Sequence, residues 1–172
     1  MMNQRLDGRV AVVTGASKGL GRQMAESLAE AGATVALVAR SGDLLESVRA
    51  GIVARGGKAF PFVCDISVEA EVATLAPEVL RQAGVPDIVI NNAGINIRKP
   101  LHEYTLEEWH RVMGINVDGP FLCTRAFLPG MIAKKFGRII SVASTMAHVS
   151  LPQRAAYSGS KFAVLGMTKA LA

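Results

Sequence analysis

A chain of 172 residues, half of them apolar and about a fifth charged, can build one domain around a sizeable core, is too short for two, and is too apolar to stay disordered. Its net charge of +5 comes from scattered Lys and Arg, with six Phe, two Tyr and one Trp, so nucleic-acid binding is not expected and a small anionic ligand suits the charge equally well. No apolar run reaches the roughly 18 residues of a membrane span, and the opening stretch MMNQRLDGRVAVVTG lacks the apolar core of a signal peptide, so a cytoplasmic protein without a membrane partner is expected.

Along the chain, short apolar runs alternate with longer stretches of helical spacing. Val10–Thr14 is the first run, and the helical stretch Gly21–Ala31 ends at Gly32, a C-cap glycine. Thr34–Ala39 is the second run; the next helix, Asp43–Arg55, opens with D-x-x-E and closes at Gly56-Gly57. Ala59–Val63 and Asp87–Asn91 follow as the third and fourth runs. Thr105–Glu108 reads T-x-x-E, a capping box ahead of another helix, and Arg138–Val142 is the fifth run. None of the runs shows period-two polarity, which marks strands covered on both faces. The alternation predicts an α/β fold: a doubly wound parallel sheet between two helical layers, joined by right-handed crossovers. Pro77, Pro120 and Pro129 fall inside or near predicted helices and are expected to kink or restart them. No repeat, low-complexity segment or linker divides the chain, so residues 1–172 read as one domain.

The first strand runs directly into TGASKGLG, Thr14–Gly21. Glycines at 15, 19 and 21 stand between strand and helix, where a missing Cβ lets the backbone turn sharply and lets a pyrophosphate approach the helix N-terminus. Glycines also serve turns that bind nothing, but this placement favours a phosphate cradle. The spacing differs from G-x-G-x-x-G, which points to a different branch of dinucleotide binders.

TGASKGLG, NNAG at Asn91–Gly94, Asn116, Ser144 and YSGSK at Tyr157–Lys161 occur together in the order seen in the short-chain dehydrogenase/reductase family, which the whole chain resembles. The resemblance implies a Rossmann-type sheet of five strands in the order 3-2-1-4-5. It also implies that Gly15, Gly19 and Gly21 shape the diphosphate turn and that Ser17, Lys18 and Leu20 line it. NAD-using dinucleotide folds carry an Asp or Glu about twenty residues past the glycine turn; here that place holds Ala39, followed by Arg40. No carboxylate there repels a 2'-phosphate, and Arg40 and Lys18 can bind one, so NADP(H) is preferred and NAD(H) remains possible. The less favoured alternative leaves both residues as solvated surface charges. Asp65 resembles the family's adenine contact, with Ile66 beside the ring, and its DIS context equally suits a helix cap. Asn92, Ala93 and Gly94 end the fourth strand, at the carboxyl edge where open α/β sheets bind ligands.

Tyr157 and Lys161 are four residues apart on a predicted helix and share a face. Alone, such a pair is an ordinary exposed neighbour contact. A phenol in water exchanges its proton near pH 10, and a neighbouring ammonium favours the phenolate. With the glycine turn and Ser144, the resemblance implies that Tyr157 is the general acid for reduction and base for oxidation. Lys161 would tune it and bind the nicotinamide ribose. Ser144 would orient the substrate oxygen, and Asn116 would kink a helix and hold a relay water, although an Asn there can also be a plain kink or cap.

The expected activity is oxidation and reduction of a small secondary alcohol or ketone: a sugar acid, a polyol or a 3-oxoacyl substrate. Arg98 and Lys99 could meet a carboxylate or an acidic carrier protein, or be solvated charges. Family members continue past this helix into further strands, whereas MTKALA ends in mid-helix. A shortened form is therefore expected, with the fifth strand left as a sheet edge. The alternative is a nucleotide-binding or interaction module without turnover. A homo-oligomer, dimer or tetramer, is implied through Phe121–Ala133 and the helix after Tyr157. His102, His110 and His148 show no metal spacing, and no metal is expected. Cys64 and Cys123 read as buried, reduced thiols.

Overall fold

The structure is a computed structural model describing residues 6–172; residues 1–5, part of the stretch read for a signal-peptide core, lie outside the described residues. Strands β1 (Val10–Thr14), β2 (Thr34–Ala39), β3 (Lys58–Val63), β4 (Ile88–Asn91) and β5 (Arg138–Ser141) form one parallel sheet in the order 3-2-1-4-5. Helices α1 (Gly19–Glu30), α2 (Gly42–Ala54), α3 (Glu69–Gln82), α4 (Leu106–Met113), α5 (Gly119–Lys134) and α6 (Ala155–Leu171) complete the described chain.

Every residue of β1 is buried, and alternate positions feed opposite cores. Val12, Ala36, Val38 and Val89 join the cluster beneath α3 and α5, whereas Ala11, Val13, Val35, Leu37 and Ile90 join the one beneath α1 and α2. A two-residue side-chain period inside a uniformly apolar run therefore supplies two cores at once. Each buried Val contributes about 1.5–3 kcal/mol relative to exposure. The edges are β3, which carries Pro61, and β5, where Ile140 is half exposed. Proline on an edge strand costs no central ladder bond.

α1 begins at Gly19, two residues before its apolar spacing suggests, because first-turn residues such as Leu20 face solvent and carry no pattern. The other boundaries differ from expectation by a residue or so. Prolines correct the reading more clearly. α3 runs unbroken through Pro77 and α5 through Pro129. Each ring and the residue four before it, Ala73 and Arg125, are exposed, so water can serve the carbonyl that proline leaves without a donor. Pro120 sits in the first turn of α5, where a missing N–H costs nothing.

At the amino end of the sheet the Asp87 carboxylate is fully buried. It accepts from Arg9 Nη1 at 2.8 Å, Val10 N at 2.9 Å and Lys134 Nζ at 2.7 Å, joining β1 and β4 to α5. At the carboxyl end, the chain leaves β1 and β4 toward opposite helical layers, which opens a crevice between them.

Candidate active site

The crevice is a cleft of about 380 Å³ at the carboxyl ends of β1, β2 and β4. Gly15, Ser17, Lys18, Leu20, Gly21, Arg40, Asp65, Ile66, Asn92, Ala93 and Gly94 line it, together with Ala39, Ser41, Cys64, Ile95 and Ile115 among others. Gly19 stands outside the lining, at the exposed first residue of α1 with φ +56°.

Two glycines make the turn possible. Gly15 has φ +68°, and a Cβ there would lie 2.8 Å from Asn92 Nδ2. Gly21 needs the space itself, since its Cβ would stand 2.2 Å from the Gly15 carbonyl oxygen. Thr14 Oγ1 accepts from the amides of Asn92 and Ala93 at 3.0 and 3.1 Å, and Asn92 Nδ2 donates to Thr14 O at 2.9 Å. These bonds lock the NNAG segment to the glycine turn. Thr14 is fully buried, and the motif alone gives it no role.

Asp65 is not the helix cap, because α3 starts later, with Val68 as its N-cap residue. Its Oδ1 instead accepts from Ser67 N and Ser67 Oγ at 3.0 and 2.6 Å, and Oδ2 lies 3.5 Å from Arg40 Nη1. Burial opposes ionisation of Asp65, but the Ser67 bonds and Arg40 outweigh it and hold the carboxyl below its ordinary range. Lys18 is exposed, as N-cap of α1, and makes no side-chain bond among the described residues.

Of the second group of expected residues, none lines the cleft, but Asn116 and Lys161 meet beside Gly94 at its edge, and Tyr157 stands one turn before Lys161 on α6. α4 passes into a π-helical turn, Gly114–Asp118, which places Asn116 inward and buried. Asn116 Oδ1 accepts from Ile95 N at 2.8 Å, and Nδ2 donates to Ile95 O at 2.9 Å and to Ser160 Oγ at 3.0 Å. Lys161 is buried on α6, and its Nζ donates to Val142 O at 2.6 Å and lies 5.7 Å from the Tyr157 ring centre. Burial pulls the Lys161 ammonium below its ordinary pKa. A Cβ on Gly94 would lie 3.3 Å from Asn116 Oδ1 and 3.7 Å from Lys161 Nζ, so this edge and the cleft are contiguous. Ser144, two residues past Val142, caps a 3-10 turn packed against α6, its Oγ accepting from Met146 N at 3.2 Å. Ser160 lies in the YSGSK string, and nothing in the local sequence marks it, because its partner lies 44 residues away.

Around the site, Lys99 is not free to meet a substrate. Its Nζ donates to both Glu108 oxygens at 2.8 and 2.9 Å, and Glu108 also closes the expected capping box with Thr105. Arg98 is exposed, with no side-chain partner among the described residues. The buried thiols of Cys64 and Cys123 are pushed up, to about 11 and about 12, by burial above all. Among the described residues no helix is long and apolar enough to cross a membrane, and no His, Cys, Asp and Glu group is placed to hold a metal.

The sequence profile of short chain dehydrogenases matches residues 9–172. The D-threitol dehydrogenase of Mycolicibacterium smegmatis is 38% identical over 168 residues, covering 98% of this chain and 65% of that protein. The gluconate 5-dehydrogenase of Gluconobacter oxydans is 37% identical over 167 residues, covering 97% and 65%. The chain thus spans about two thirds, or less, of the length of these curated relatives. A metagenomic short-chain oxidoreductase solved with NADP superposes with a TM-score of 0.94 at 40% identity, over 97% of this chain and 76% of that one. The gluconate 5-dehydrogenase of Burkholderia cenocepacia, solved with NADP and tartrate, gives 0.93 at 35% identity, over 98% and 66%. A cleft walled by a glycine turn, with Lys161 at its edge and Tyr157 one helical turn before it, thus agrees with profile and superposition alike: the chain belongs to the short-chain dehydrogenase family.

Proposed function

We propose that the chain acts as an NADP(H)-dependent oxidoreductase interconverting a secondary alcohol and a ketone on a small sugar acid, polyol or 3-oxoacyl substrate. One observation carries this reading: the Lys161 ammonium, one turn from Tyr157, is buried against the strand end beside Gly94 of the cleft lining. The residues present fit a dinucleotide, since Gly15 and Gly21 clear the turn of Cβ atoms where a diphosphate approaches a helix N-terminus. Bound there, a nicotinamide dinucleotide supplies or accepts the hydride.

The chain's own groups handle the proton and the geometry. Tyr157 gives its phenolic proton to the carbonyl oxygen in reduction and takes it back in oxidation. Lys161 stabilises the phenolate that results and holds the ribose, and the Ser144 hydroxyl orients the substrate oxygen. Asn116 fixes Ile95 in the cleft wall and holds a relay water. Arg40 is 56% exposed on its side chain, so its fork has donors left for a 2'-phosphate beside its contact with Asp65, and Lys18 adds a second cation. Arg98 offers its unpaired charge to an anionic substrate. The relatives named for gluconate and the tartrate-bound neighbour support the sugar-acid choice. Exposed Phe121, Ile132 and Phe162 on α5 and α6 support assembly of copies through those helices.

Mixing the protein with NADPH and a panel of ketones tests the reading. Loss of NADPH absorbance that disappears in Tyr157→Phe, with cofactor fluorescence still reporting binding, supports it. Binding without any turnover makes the chain a nucleotide-binding module instead, and turnover retained in Tyr157→Phe removes the assigned proton donor.

A further inference from the structure

Ser160 is fully buried in α6, and its hydroxyl is used in both directions. It donates to Tyr157 O at 2.7 Å and accepts from Asn116 Nδ2 at 3.0 Å. Asn116 in turn grips the backbone of Ile95 through both its amide atoms, and Ile95 lines the cleft. An unbroken chain of hydrogen bonds therefore runs from the cleft wall to the backbone of Tyr157. The next residue, Lys161, is tied to the end of β5 through Val142 O. The same stretch of α6 is thus anchored to two separate elements, and the hydroxyl of Ser160 is the sole side-chain atom of α6 that the described bonds connect to the π-helical turn.

We propose that Ser160 is a positioning residue, setting where Tyr157 stands relative to the cleft by pinning its carbonyl to Asn116. The proposal rests on the reading of Tyr157 as proton donor. Serine in a helix interior does not favour the helix, because its hydroxyl competes for backbone acceptors. Here that competition is what makes the link. Alanine would fill the space but leave Asn116 Nδ2 with Ile95 alone and Tyr157 O with its helical donor alone. Displacements of a fraction of an ångström at a proton donor are enough to slow a reaction without weakening binding.

The test compares Ser160→Ala and Ser160→Cys with Ser158→Ala in the full chain. Ser158 is a suitable control: it is buried on the same helix, but its Oγ pairs with Ser150 Oγ at 2.6 Å, away from Asn116. The protein has two tyrosines, Tyr104 and Tyr157, so carbon-13 at tyrosine Cζ gives one NMR resonance for each. Tyr104, whose hydroxyl donates to Ile97 O, is the internal reference. In Ser160→Ala the Tyr157 resonance should move while Tyr104 stays. The dissociation constant of NADPH should remain within about threefold while kcat falls about tenfold or more. Cysteine, a weak donor and acceptor, should fall between serine and alanine, and it carries the test if alanine fails to fold. Ser158→Ala should leave the Tyr157 resonance in place. An unmoved Tyr157 resonance in both Ser160 variants, or equal effects from Ser158→Ala, overturns the proposal. The resonance is read without turnover, so an inactive wild type would sink the functional reading and leave this one standing or falling by itself.

Discussion

The carbonyl oxygen of Gly15 lies 2.2 Å from the point a Cβ on Gly21 would occupy. Backbone cannot yield as a flexible side chain can, so Gly21→Ala must open the turn between β1 and α1. We expect a loss of about 2–4 kcal/mol in urea unfolding and a rise of about tenfold or more in the NADPH dissociation constant. Wild-type affinity in a folded Gly21→Ala protein would remove the glycine turn from the binding site.

Asp87 should make stability fall in acid. Burial raises its pKa, but bonds from Lys134, the Val10 amide and Arg9 outweigh that and hold it below its ordinary value. A carboxyl depressed on folding contributes stability that is complete above its unfolded pKa, about 4, and is lost as pH drops through the folded value. Asp87→Ala should cost about 2–4 kcal/mol at neutral pH, because Lys134, Arg9 and the Val10 N–H all lose a buried carboxylate. The gap between wild type and variant should shrink below about pH 4 in denaturant titrations; a gap that is constant with pH contradicts the assignment.

Arg40→Ala should lower the preference for NADPH over NADH about tenfold or more, because NADH lacks the phosphate that a planar fork grips. Fluorescence titrations with both dinucleotides measure the ratio. An unchanged ratio would leave Arg40 with only its contact to Asp65.

Arg98 and Lys99 should differ although they are neighbours. Lys99 is already neutralised by Glu108, so Lys99→Met should change KM for a sugar-acid substrate by no more than about threefold, whereas Arg98→Ala should raise it about tenfold. Steady-state kinetics at fixed ionic strength separates the two, and equal effects would sink the distinction.

The sequence by itself determined the parts that depend on near neighbours. The apolar runs of β1, β2 and β4 become strands because alternate side chains enter two cores, whereas β5, at the edge, leaves Ile140 half exposed. Gly32 ends a helix, Thr105 and Glu108 close a capping box, and TGASKGLG becomes a tight turn. Tyr157 and Lys161 share a face because helical geometry is local. Tertiary structure alone decided what distant partners do with charge and hydrogen bonds. Asp65, open between adenine contact and helix cap, is drawn to Ser67 and to Arg40 from another strand end. Lys99 is spent on Glu108, and the prolines are tolerated because their faces turn to water. Asp87 gathers Arg9 and Lys134 from far along the chain on either side, and Ser160 meets Asn116 across 44 residues. Periodicity reports which face a residue takes, but a hydrogen bond needs two atoms within about 3 Å, and only folding of the whole sheet brings such pairs together.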